Sequence, residues 1–136
     1  MKILLAVHHF PPRFSAGAEL QAYRTAAALR ARGHTVQIVC IESITDENAE
    51  QLVWWDDTYD GLPVRRLSFN LAATPDPFRY EYDNPWIGEH VRQLMVEQRP
   101  DLFHLYGGYL ITPRPLIAAQ ELGLPTFVSL LEFWFL

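Results

Sequence analysis

Two short stretches of this chain carry residue types that could hold an anion or a sugar. The first is Ser15-Ala16-Gly17-Ala18-Glu19, where a run of small residues leads into a helical composition. Such a junction offers free backbone N–H groups and the positive end of a helix dipole, which together suit a phosphate group at Ala16, Gly17 and Ala18. The same residues also read as a plain small-residue helix entry with Ser15 as its cap, and spacing alone leaves both readings open. A dinucleotide fingerprint needs three spaced glycines and a P-loop needs Gly-Lys-Ser/Thr; neither occurs here. The second stretch is Tyr106-Gly107-Gly108, where an aromatic ring beside glycines could stack on a sugar or simply pack. His9 and Arg13 flank two prolines just upstream of the small-residue run. They could meet an anionic ligand or phosphate, or stand as ordinary loop side chains. Phe78-Arg79-Tyr80-Glu81-Tyr82 reads either as an acceptor-recognition lid or as a tethered surface loop.

Other chemistry can be set aside. The five histidines, His8, His9, His34, His90 and His104, have no i, i+4 or cysteine-paired spacing, so no metal site is expected. His104, inside an apolar run, reads as a hydrogen-bonded core histidine. The single cysteine, Cys40, excludes an internal disulfide and a multi-thiolate site. Ser15, Ser43, Ser68 and Ser129 lack a nucleophile-elbow context. The net charge of −5, with one lysine and scattered arginines, argues against nucleic acid as a partner. No apolar run reaches the ~20 residues that span a bilayer, and the N-terminus is too short for a signal peptide. A cytoplasmic location is expected.

These residues must be positioned by regular elements. At 136 residues the chain supports about one domain. Strands are expected at Lys2–His8, His34–Ile41, Leu52–Tyr59, Leu62–Phe69, Asp101–Tyr106 and Thr126–Leu131. Helices are expected at 18–32, from Asn84-Pro85 to Pro100, and from Thr112-Pro113 to Leu122, with Gly33 and Gly123 as stops. Asp60-Gly61 marks a hairpin, and Asn70–Asp83 a long loop with Pro75 and Pro77. Trp54-Trp55 should pack at a sheet edge. Strands alternating with helices imply an α/β fold: a Rossmann-like, mostly parallel sheet flanked by helices. Ligands of such sheets sit beyond the carboxyl ends of the strands where strand order reverses. A central first strand would put the 9–17 and 106–108 stretches on either side of that crevice. The chain stops at Phe133-Trp134-Phe135-Leu136, which reads as a strand docked in the core or as a cut in a longer polypeptide.

Several segments in order resemble one family. Phe10-Pro11-Pro12, Ala16-Gly17-Ala18-Glu19 and Arg32-Gly33-His34-Thr35-Val36 are similar to the opening of the GT-B-fold, retaining, group 1 nucleotide-sugar-dependent glycosyltransferases. That opening is a strand, a Pro-x-x-Gly-Gly-x-Glu loop and a helix ending in Arg-Gly-His-x-Val. Asp60-Gly61-Leu62-Pro63-Val64-Arg65-Arg66 resembles the family's Asp-Gly-x-x-Val-x-Arg strand, and Pro100-Asp101-Leu102-Phe103-His104 its Pro-Asp-hydrophobic-hydrophobic-His strand.

The resemblance implies that residues 1–136 are a truncated acceptor-side domain, the N-terminal half of a GT-B fold, lacking its C-terminal donor domain. It implies transfer of a sugar from a nucleotide diphosphate sugar to an acceptor hydroxyl, with no cofactor or metal, by an enzyme of which this fragment alone is inactive. Ala16, Gly17 and Ala18 would face the donor phosphates. His9, Arg13, Tyr106, Gly107 and Glu132 would face a sugar, lipid or small-molecule acceptor, with room for peripheral membrane association. Three places depart from the family pattern: Ala16 replaces the first glycine, Leu131-Glu132 a histidine of the acceptor site and its aspartate neighbour, and Tyr106 a second histidine. The alternative is a stand-alone Rossmann-like module that binds a phosphate ligand or a protein without catalysis.

Overall fold

The computed structural model describes residues 1–131. Six strands form one sheet: β1 (Lys2–Val7), β2 (Thr35–Ser43), β3 (Val53–Tyr59), β4 (Leu62–Ser68), β5 (Leu102–Tyr106) and β6 (Thr126–Ser129), in the order β3-β4-β2-β1-β5-β6. Every neighbouring pair is parallel except β3 and β4. That pair is the expected hairpin, and Asp60 and Gly61 turn it at φ 50° and 74°. Both are left-handed, as a two-residue turn between right-twisted strands requires.

The described residues hold four helices, α1 (Gly17–Ala31), α2 (Pro77–Tyr80), α3 (Pro85–Gln98) and α4 (Arg114–Glu121), of which α1, α3 and α4 cover the sheet. On one face Leu4, Ala6, Val39, Ile41, Leu67 and Phe103 meet Ile87, Val91 and Leu94 of α3 and Ala118 and Ala119 of α4. On the other, Leu5, Val7, Ile38, Cys40 and Val64 meet the alanine seam of α1, Ala22 and Ala26. Alanine lets a helix lie close to a sheet, and Gly33, at φ 91°, ends that helix as expected. Asn84 caps α3 through its side-chain oxygen, which accepts from the amides of Trp86 and Ile87 at 3.0 and 3.1 Å.

Four local expectations are corrected. Ser15 does not cap α1; the cap position is Ala16, with no side-chain bond. Thr112 does not cap α4 either. It is buried at φ 69° and accepts the Asn84 amide through its hydroxyl, while Pro113 takes the cap position. The 70–83 segment is not all loop: a 3-10 turn at Leu71–Ala73 and α2, capped by Asp76, interrupt it. The last strand ends at Ser129, and the reading of the chain's end falls on residues 132–136, outside those described.

Candidate functional site

Strand β1 is central. β2, β4 and β3 lie on one side of it and β5 and β6 on the other; the chain fills the first side and then crosses to the second, so strand order reverses between β1 and β5. Crevices at such a reversal bind ligands. The exits of these two strands, residues 8–16 and 107–113, are brought together by His8. Its Nε2 lies 3.6 Å from the Glu19 carboxylate in the first turn of α1, and its ring meets Tyr109 edge-on at 5.7 Å. Both His8 and Glu19 are buried.

The start of α1 has the arrangement an anion needs. No side chain caps it, and the amides of Gly17, Ala18 and Glu19 have no acceptor among the described residues. Ala16 and Gly17 are exposed. A Cβ placed on Gly17 would meet nothing within 4 Å, so open space lies over the helix entry. These amides and the helix dipole attract negative charge.

The other candidate residues have different placements. His9 Nδ1 donates to the Ile41 carbonyl at 2.9 Å, and its ring stacks on Phe14 with centroids 3.8 Å apart. Arg13 donates to the Glu42 carbonyl at 3.0 Å. Both side chains therefore tie the β1 exit to the end of β2. Tyr106 turns its ring into the core on the α1 face, 7% exposed, with its hydroxyl 3.5 Å from Thr25 Oγ1. A ring so enclosed cannot stack on a sugar, which corrects that expectation. Gly107 is buried at φ 86° and gives its amide to the Ser129 carbonyl at 2.8 Å. Glu132 lies outside the described residues.

His104 and Cys40 are core groups. Burial lowers His104 below the usual imidazole range, and its Nε2 sits 2.8 Å from Ser129 Oγ. Burial pushes the Cys40 thiol up to about 12, far from a usable thiolate. Among the described residues no three His, Cys, Asp or Glu side chains converge as metal ligands, and no helix is long and apolar enough to cross a membrane.

A second feature lies along the same carboxyl edge. Ile44 and Thr45 after β2, Asn70 and Leu71 after β4, and Pro77 and Phe78 of α2 line an open cavity of about 440 Å³. Phe78 is 81% exposed at its rim. Of the 78–82 run, Phe78 and Glu81 line this cavity.

Residues missed by spacing are Arg66 and the His8–Glu19 pair. Arg66 is 3% exposed and gives Nη2 to the Pro11 carbonyl at 2.7 Å, Nη1 to Glu42 at 2.9 Å and Nε to Asp57 at 2.9 Å. The Thr58 amide, and then Arg66, hold Asp57 below the usual carboxylate range. The sequence showed Arg66 only as the last residue of the Asp60–Arg66 segment, in a strand that also carries Arg65.

Residues 16–136 match the glycosyl transferase 4-like domain family. No curated protein matches the chain. Among solved structures it is similar to the catalytic domain of starch synthase IV from Arabidopsis thaliana bound to ADP and acarbose. Identity there is 15%, with 76% of this chain and 27% of that one covered, at a TM-score of 0.50. It is also similar to a trehalose-6-phosphate protein from E. coli bound with UDP-2-fluoro glucose. There identity is 8%, coverage 94% of this chain and 32% of that one, and the TM-score 0.53. These likenesses concern the fold, and the chain spans about a quarter to a third of the length of the structures it matches.

Proposed function

The chain belongs to the glycosyl transferase 4-like domain family, and from that premise we propose that it is the acceptor-side half of a group 1, retaining GT-B enzyme. A donor domain of the same polypeptide would supply the nucleotide pocket. The whole enzyme would move a sugar from a nucleotide diphosphate sugar to an acceptor hydroxyl, in the cytoplasm and without a metal.

One observation carries this reading: the uncapped amides at Gly17 and Ala18 open at the strand-order reversal. When the sugar departs, negative charge grows on the diphosphate, and fixed N–H dipoles stabilise that charge more than the ground state. Both solved neighbours carry a nucleoside diphosphate, which supports the same ligand class here. The cavity beside Phe78 supports an acceptor with an apolar portion, a lipid or a small molecule, taken on the same edge. An exposed Phe78 and Tyr82 would also suit an acceptor presented at a membrane surface.

Gly17→Val in the full-length protein tests it. The side chain has room, so the fold should keep its melting temperature, while sugar transfer should fall by ~10²-fold as the methyls displace the diphosphate. Unchanged transfer would refute the reading.

A further inference from the structure

The loop that delivers Gly17 is anchored from a distance. Arg66 stands on β4, two strands away from β1 in the sheet. Its guanidinium reaches past the end of β2 to the Pro11 carbonyl, a bond that is itself buried and spans 55 residues of sequence. The same group is fixed from behind by Asp57 on β3 and from below by Glu42, the residue following Ile41 in β2. Glu42 has a double part. Its carboxylate holds Arg66, and its backbone carbonyl accepts Arg13. Positions 11 and 13 of the loop are thereby tied to one charged cluster, with Phe10 sealed in the core between them and β1.

We propose that Arg66 is a positioning residue: by holding Pro11 it sets the path of the 9–16 loop and so the place of the Gly17 and Ala18 amides at the crevice. It touches neither donor nor acceptor and acts through the loop alone. The proposal rests on the transferase reading for its catalytic consequence, not for the clamp itself. A planar fork with several fixed donors can serve three acceptors on three elements at once; an ammonium keeps the charge but not that geometry.

Arg66→Lys is therefore the informative change, because it leaves Asp57 and Glu42 a cationic neighbour. Hydrogen exchange would be followed by mass spectrometry on the full-length protein, with Arg92→Lys, which alters an exposed ion pair between α3 and α4, as the reference. The expected result is exchange at least ~10-fold faster at Leu20 and Ile41, whose amides are held by the Ala16 and His8 carbonyls at the two ends of the loop, wild-type exchange in the amides of β1 and β5, and no change at Leu20 or Ile41 for Arg92→Lys. The kcat for sugar transfer should fall by a similar factor, with the KM for the nucleotide sugar altered less. Loop exchange equal to wild type, or acceleration spread evenly across the sheet, would overturn the proposal. If wild-type protein consumes no nucleotide sugar, the transferase reading falls, and loop exchange still decides the clamp by itself.

Discussion

Two connections leave the same edge of the sheet and are held in opposite ways. The β1 exit is tied by buried groups: Phe10 is fully enclosed, and the Pro11 carbonyl belongs to Arg66, itself 3% exposed. The β4 exit, residues 69–84, buries Phe69, Tyr80 and Asn84 but has its charged ties at the surface. There Asp83 pairs with Arg79 and Arg114, Asp76 caps a helix of four residues, and Phe78 and Tyr82 face solvent. Exposed pairs of this kind contribute little, about 0–1 kcal/mol, whereas removing one partner of a buried pair leaves a charge uncompensated. The contrast fits a division of labour. Under the proposed reading, a diphosphate common to donors would meet the fixed loop, and the acceptor a segment whose contacts cost little to rearrange.

Removing charge at each site should expose that difference. Arg66→Met leaves Glu42 and Asp57 facing each other across an apolar chain, and urea unfolding should show a loss of about 3 kcal/mol. A loss below ~1 kcal/mol would mean that the β1 exit is held no more firmly than a surface loop. Asp83→Asn should cost less than ~1 kcal/mol by the same measurement, since its partners are about one-third exposed or more. The sign of its pH dependence follows from the hydrogen bond with Arg114, which, with Arg79, lowers the Asp83 carboxyl below its ordinary value. A carboxylate depressed in the folded state stabilises it above the unfolded value of ~3.9, and that contribution disappears as pH falls through the lower folded value. Wild type and Asp83→Asn should therefore converge in stability below about pH 4.

Much of the scaffold was legible because local chemistry dictates it. Asp60-Gly61 demands left-handed backbone, Gly33 suits a helix end, and Asn84-Pro85 offers both a cap and a preset φ. The alternation of elements then implied the parallel sheet, and a central β1 put the small-residue loop at the reversal. What stayed hidden depends on partners far away in sequence. Arg66 and Pro11 lie 55 residues apart, and nothing local joins them. Tyr106 went astray for another reason. A strand buried on both faces has no polar side to mark direction, so its ring could be assigned to the crevice when parity with His104 sends it under α1. Ser15 was the reasonable cap, and Ala16 holds that place instead. A helix start without its cap is a local rule broken where a ligand would complete it, which is where such exceptions are expected.

The most direct measurement is a structure of the full-length protein with a nucleoside diphosphate bound. A phosphate oxygen within about 3 Å of the Gly17 or Ala18 nitrogen is the expected result. A diphosphate held entirely by other segments, with the start of α1 left facing solvent, would contradict the account.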